Sequence, residues 1–147
     1  MKNSTVYKFK KLNHLYKVLE IFTCGIQLQG WENSALDAGT GDINVSFCMF
    51  SGNKFCLINS KITPLVHQAV DLSNERRERA LLLNKSELNK IRKALEIDGK
   101  TCVPMTLYRN DKNLWKINIA IVSGLKNYDK RNLIKARDIK REINKEN

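Results

Sequence analysis

A strict alternation in the last third of the chain constrains its fold more than any other feature. In LWKINIAIV (114–122), Trp115, Ile117, Ile119 and Ile121 alternate with Lys116, Asn118 and Ala120. Successive strand side chains point to opposite faces, so a period of two predicts one buried face and one wet face. TCVPMTLYR (101–109) precedes it across NDKN and reads as a partner strand. DINVSFCMF (42–50) and KFCLINSKI (54–62) flank SGN, a hairpin signal. YKVLEIFTCGIQLQ (16–29) is also β-rich, and Gly25 inside it predicts a bulge or sharp bend, as at a barrel corner.

Two helical segments interrupt the strands. In WENSALDAG (31–39), Trp31, Ala35 and Leu36 fit one or two turns closed by Gly39. The clearer helix starts at Asn84, which with Glu87 forms an N-x-x-E variant of the capping box. Leu88, Ile91 and Leu95 give it an apolar stripe, and Gly99 closes it. Residues 63–80 read as a long polar connection, and 1–11 as a basic, poorly ordered N-terminus. At 147 residues and 42% apolar composition, one domain with a real core is expected. The fold class is mainly β (α+β): a small, OB-like antiparallel barrel over 12–123, plugged by a helix, with a basic C-terminal tail over 124–147.

Charge points to the partner. The formal net charge is +11. Residues 1–17 carry five lysines and no acid, whereas residues 18–74 have two basic residues against five acids. Residues 75–100 hold eight basic residues against five acids, and 124–147 hold eight against four. Such a field suits a polyanion, either nucleic acid or an anionic membrane surface. No window of 18 apolar residues exists, so nothing spans a membrane, and MKNSTVYKFKK lacks the apolar core of a signal peptide. Cys24, Cys48, Cys56 and Cys102 form no CxxC pair and lie in apolar, strand-like settings, which predicts buried, reduced thiols.

No catalytic constellation emerges. His14 and His67 have no Cys or carboxylate at ligand spacing. Glu32, Asp37 and Asp42 could form a carboxylate cluster for Mg²⁺, but a solvated set of loop acids is the simpler reading. Binding is better supported. Arg76, Arg77 and Arg79 precede LLLN, and Lys85, Lys90, Arg92 and Lys93 line the polar side of the helix that follows. Tyr7–Lys8–Phe9, Tyr108–Arg109 and Tyr128 near Lys130 place aromatic faces for base stacking beside phosphate-neutralising cations. From about Asp129 the tail offers only a thin helical stripe of Ala136, Ile139 and Ile143, with Leu133 nearby. That stripe is too narrow to anchor a helix by burial, so the tail is expected to be disordered alone and to fold on a polyanion.

Several stretches together resemble the SsrA-binding protein (SmpB) family, the protein partner of transfer-messenger RNA in bacterial ribosome rescue. They are G-W-E at 30–32 with Leu36 and Gly39, N-x-x-I-T-P at 59–64, and R-x-R at 77–79 with LLLN at 81–84 and Glu87. G-x-T-x-V-P at 99–104 follows with L-Y at 107–108, then G-x-K-x-Y-D-K-R at 124–131 and I-K-x-R-D at 134–138. They span residues 14–141. The resemblance implies an OB-like six-stranded barrel, no cofactor, no metal and no enzymatic activity. It implies a monomer that binds the tRNA-like part of transfer-messenger RNA and acts in the cytoplasm, or in an organelle matrix if organelle-encoded. EF-Tu and alanyl-tRNA synthetase would be partners through the RNA. The tail would become helical in the empty mRNA channel, next to the decoding centre and small-subunit rRNA.

By position, the resemblance assigns RNA contact to Gly30, Glu32, Arg77, Arg79, Leu82, Leu83, Asn84, Gly124 and Lys126. It assigns the decoding centre and mRNA channel to Tyr128, Asp129, Lys130, Arg131, Lys135, Arg137, Lys140 and Arg141. The chain departs from the family at Thr23, where a Glu is usual, and at Leu125, where a Lys is usual. After G-W-E the family has Val-Lys-Ser-Leu-Arg; this chain has Asn33-Ser34-Ala35-Leu36-Asp37, losing both basic residues and gaining an acid. Asp37 cannot hold a phosphate, so altered RNA docking is expected of this divergent member. The loss leaves open a second reading, a structural or regulatory ribosome-associated protein that has lost the transfer-messenger RNA partner. A nuclease is a third.

Overall fold

The computed structural model describes residues 6–124. In chain order the elements are β1 (Val6–Lys8), α1 (Leu12–Leu15), β2 (Tyr16–Ile26), α2 (Gly30–Asp37), β3 (Gly41–Asp42), β4 (Phe47–Ser51), β5 (Lys54–Ile58) and β6 (Lys61–Ile62). A short 3-10 turn (Leu72–Asn74), β7 (Arg79–Leu82), α3 (Lys85–Leu95), β8 (Lys100–Arg109) and β9 (Trp115–Gly124) follow.

The main sheet runs β8-β4-β5-β7-β2-β9, and β9 pairs again with β8, so six antiparallel strands close a barrel. Closure removes the exposed edges that an open sheet of this size would carry. β1 extends the barrel by pairing with residues 106–108 of β8, and β3 with β6 makes a separate two-stranded ribbon. The two hairpins lie where the sequence places them, with Phe47 opposite Ile58 and Arg109 opposite Trp115.

The interior is filled by alternate strand residues, among them Phe22, Cys24, Cys48, Phe55, Leu57, Cys102, Leu107, Ile117, Ile119 and Ile121. Ala35 and Leu36 of α2 and Ile91 of α3 join this cluster. α3 starts as expected: the Asn84 side chain accepts from the Glu87 N–H at 2.8 Å, and the Glu87 carboxylate accepts from the Asn84 N–H at 3.1 Å.

Three expectations need correction. Gly25 is no bulge: it pairs regularly with Leu82 and Lys116, and the irregularity in β2 falls between Val18 and Glu20. Its smallness serves close approach instead, because a Cβ there would sit 3.3 Å from Leu82 Cδ1. The wet face of β9 is wet only in its first half. Ala120 and Val122 are buried in a second cluster with Phe9, Leu12 and Val103. The segment that builds this cluster belongs partly to the stretch 1–11 expected to lack order, of which 6–8 pair with β8 and Phe9 is buried. Its apolar residues, Phe9 and Leu12, were the available signal, hidden among lysines.

Candidate nucleic-acid interface

The site is organised around the first turn of α2. Gln29 is extended (φ −82°, ψ 160°) and caps the helix, and its N–H donates to Glu32 Oε1 at 2.7 Å. Trp31 Nε1–H donates to the Gln29 side chain at 2.7 Å. Gly30 is exposed, and a Cβ there would meet nothing within 4 Å, so no packing demand requires glycine at this position.

Glu32 faces the protein interior. It is fully buried, and so is Arg79. Arg79 Nε–H donates to Glu32 Oε2 at 2.7 Å, and Arg77 Nε–H donates to the same oxygen at 2.9 Å while its Nη2 pairs with Oε1. The rest of the Arg79 fork donates to the Ser60 carbonyl (3.0 Å), the Ser60 hydroxyl (2.9 Å) and the Glu75 carbonyl (3.1 Å). Burial pushes the Arg79 pKa below its ordinary value, and the Glu32 charge and hydrogen bond oppose that; a guanidinium stays charged in any case. Arg79 is therefore a structural cation that ties β7 to α2 and to the 60–75 connection. Two guanidinium groups share one carboxylate, which leaves one net positive charge here. Arg77, with a quarter of its side chain exposed, carries it to the surface.

Two grooves flank this turn and meet at Leu28. One, of about 540 Å³, is lined by Gln27, Gln29, Lys54, Cys56, Arg77 and Glu78 among others. The other, of about 290 Å³, is lined by Gly25, Asn33, Leu82, Asn113, Leu114 and Lys116 among others. Leu82 is 51% exposed and Leu114 57% exposed, so two apolar side chains stand in solvent beside Lys116 and two amide-bearing residues, Asn33 and Asn113. Apolar faces next to amides and separated cations suit single-stranded bases and backbone.

Of the other residues singled out in the sequence, Leu83 is half-buried against the main cluster, and Asn84 spends its side chain on capping α3. Gly124 ends β9 opposite Tyr16, nine residues along β2 from Gly25. At a rise of ~3.3 Å per residue that is about 30 Å from the grooves. Lys126, Tyr128, Asp129, Lys130, Arg131, Lys135, Arg137, Lys140 and Arg141 lie outside the described residues. Two proposed stacking rings are structural: the Tyr7 hydroxyl donates to the Leu36 carbonyl at 2.6 Å, and Phe9 is core. Lys54, Lys116, Asn113, Leu114 and Gln27 escaped the sequence reading because they come from three separate segments and share no local motif.

The three acids do not converge. Glu32 serves the arginines, Asp42 accepts from the Asn44 N–H at 2.8 Å, and Asp37 pairs with Arg109 Nη2 at 3.0 Å. Among the described residues no group of three or more His, Cys, Asp or Glu could hold a metal ion. Asp37 is thus half of an ion pair whose guanidinium also lies 5.3 Å from the Trp115 ring centre. All four cysteines are free and buried.

Comparison with known proteins decides the family. The model of the SmpB protein family matches residues 6–147, which includes the tail. The chain belongs to the SmpB family. An SsrA-binding protein of Christiangramia forsetii is 37% identical over 145 residues, 99% of this chain and 92% of that protein. The SsrA-binding proteins of Flavobacterium johnsoniae (38%, covering 92% of this chain and 90% of that one) and Mycoplasmopsis pulmonis (35%, 95% and 94%) are similarly close. A solved SmpB structure, described as "tmRNA-SmpB: a journey to the center of the bacterial ribosome", superposes with a TM-score of 0.68 at 32% identity. It covers 84% of this chain and 86% of its own. No helix among the described residues is long and apolar enough to cross a membrane.

Proposed function

We propose that this protein binds the tRNA-like domain of transfer-messenger RNA and delivers it to stalled ribosomes, acting as a trans-translation factor in the cytoplasm. The observation that carries this reading is the pair of grooves around the first turn of α2, on a chain that matches SsrA-binding proteins over nearly its whole length. Leu82 and Leu114 offer apolar contact to bases or riboses, and Lys54, Arg77 and Lys116 neutralise phosphates. Glu32 and Arg79 hold α2 and β7 in register beneath them and touch no RNA. Gly30 lets a backbone approach the helix start. The protein transfers no group: its contribution is binding and placement, and EF-Tu and alanyl-tRNA synthetase act on the RNA it holds.

The tail beginning at Gly124 is read as the ribosomal part. Tyr128, Asp129, Lys130 and Arg131 would meet the decoding centre, and Lys135, Arg137, Lys140 and Arg141 would line the mRNA channel, where ribosomal RNA supplies the packing surface that the thin apolar stripe lacks. The alternative of a ribosome component without the RNA partner is less favoured, because the chain matches SsrA-binding proteins over nearly its whole length and the acid gained at Asp37 is matched by Arg109.

Sequencing the RNA that co-purifies with the full chain tests the reading. Transfer-messenger RNA enriched over ribosomal RNA is expected; equal recovery of both would sink it. Removal of residues 129–147 should leave RNA binding nearly intact and abolish peptide tagging on stalled ribosomes. Equal loss of both would make the tail a plain RNA anchor.

A further inference from the structure

Two elements far apart in sequence line the second groove together: α2 through Asn33, and the β8–β9 hairpin through Asn113, Leu114, Trp115 and Lys116. The hairpin is held by its own hydrogen bonds. The Asn110 N–H donates to the Leu114 carbonyl at 2.9 Å, and the Asn110 side chain accepts from the Lys112 and Leu114 N–H groups at 2.9 and 3.0 Å. Arg109 and Trp115 form the strand pair next to this turn. The spacing between α2 and the hairpin therefore sets the width of the groove.

An ion pair ties α2 to the hairpin one helical turn beyond Asn33. Asp37 stands at i+4 from Asn33, so the two share a face of the helix. Arg109 Nη2 donates to both Asp37 carboxylate oxygens, at 3.0 and 3.1 Å. The same guanidinium lies 5.3 Å from the ring centre of Trp115, its cross-strand partner. Arg109 Nε–H is buried without an acceptor among the described residues, so Asp37 is what anchors the group. Tyr7 adds a second link at this end of α2. Its hydroxyl donates to the Leu36 carbonyl at 2.6 Å, and its ring centre lies 6.1 Å from that of Trp115.

We propose that Asp37 and Arg109 are positioning residues for RNA: their ion pair fixes α2 against the β8–β9 hairpin and holds the second groove at the width that RNA requires. The inference rests on the reading of the grooves given above and deepens it. The sign of the charge makes it specific. A merely solvated acid beside a groove for a polyanion repels that polyanion, so its removal should tighten binding. An acid that keeps the groove in shape has the opposite effect when it is removed. Arg109 is spent on Asp37 and Trp115 and neutralises no phosphate.

The test uses full-length Asp37→Ala, Asp37→Asn and Arg109→Ala variants. The Asp37 side chain is 46% exposed and that of Arg109 24%, so the urea midpoint of each variant should stay within about 0.5 M of the parent. Asp37→Ala should weaken binding to a transcript of the tRNA-like domain by about threefold or more near 100 mM salt, with the log–log salt slope unchanged. Asp37→Asn keeps an acceptor for the guanidinium and should recover part of that loss. Arg109→Ala should behave like Asp37→Ala, again at an unchanged slope. Amide hydrogen exchange gives a readout that needs no RNA: residues 33–38 should exchange about threefold faster in Asp37→Ala, while β4 and β5 stay as they are. Tighter or unaltered RNA binding by Asp37→Ala, no recovery in Asp37→Asn, or unaltered exchange in α2 would overturn the proposal. So would a slope smaller by about 0.7–0.9 units in Arg109→Ala, because Arg109 would then touch a phosphate itself. If the parent chain binds no transfer-messenger RNA, the earlier reading fails, and the exchange measurement alone decides whether the pair holds α2.

Discussion

Replacing Glu32 by Gln should unfold this protein more readily than any surface change. The carboxylate accepts four hydrogen bonds, from the Gln29 N–H, from two Arg77 nitrogens and from Arg79 Nε. Glutamine keeps the shape but removes the charge and turns an NH₂ toward donors. Arg77 can swing into solvent, since a quarter of its side chain is already there. Arg79 cannot, because its side chain is wholly buried. Leaving a buried charge without its partner costs about 3–5 kcal/mol, and damage to the α2 cap adds about 1 kcal/mol. Against a typical domain stability of about 5–15 kcal/mol that is a large share. With a urea m-value of roughly 2 kcal/mol/M, the midpoint of unfolding should drop by about 2–3 M. Equilibrium urea unfolding followed by Trp fluorescence measures this directly. The double variant Glu32→Gln/Arg79→Met should recover more than half of the loss, because it removes both buried charges. A single-variant shift below about 0.5 M, or a double variant worse than the single, would refute the claim that Arg79 is stranded.

Other predictions follow from local geometry. A Cβ at Gly41 would lie 2.6 Å from Leu36 Cδ2 and 3.0 Å from the Tyr7 ring, so Gly41→Ala should cost about 1–3 kcal/mol by thermal or urea unfolding. Gly30→Ala meets open space, so its melting temperature should be unchanged; weaker RNA binding by this variant would show that a ligand comes close there, and unaltered binding would remove Gly30 from the interface. Burial pushes the Cys24 thiol up to about 12, and Cys48 is raised by burial and by the neighbouring Cys102. The unfolded thiols ionise near pH 8.5 while these folded ones keep their protons, so their contribution to stability is intact below that pH and is lost as pH rises from about 9 to 12. A thiol reagent at pH 8 should accordingly find no fast-reacting cysteine in the native protein and four after denaturation.

The barrel was legible because its signals are local. Period-two alternation in 115–121, a turn tripeptide at 51–53 and a capping box at 84–87 each specify an element without help from distant residues. What stayed hidden depends on long-range contact. Nothing near Ala120 or Val122 announces that Phe9 and Leu12 will cover them, so one face of β9 reads as wet when its second half is dry. Arg79 and Glu32 read as surface groups for the same reason. Forty-seven residues separate them, and only the pairing of β7 with β2 brings Arg79 beneath α2.

The same distinction governs the site. A motif match assigns roles by position, and it grouped Glu32, Arg77, Arg79, Leu82 and Asn84 as one RNA-contacting set. Burial divides that set in two. Glu32 and Arg79 are inaccessible and Asn84 is a cap, whereas Arg77 and Leu82 reach solvent beside Lys54, Lys116 and Leu114. Variants of the two groups should therefore fail differently. Loss of Glu32 or Arg79 should lower RNA affinity only in proportion to the folded fraction, so that binding recovers at low temperature or with a stabilising osmolyte. Loss of Lys54 or Lys116 should lower affinity at unchanged stability and flatten the salt dependence by about 0.7–0.9 units per lysine. If Glu32→Gln weakens RNA binding under conditions where unfolding experiments show it fully native, the carboxylate has a direct part in recognition that its burial argues against.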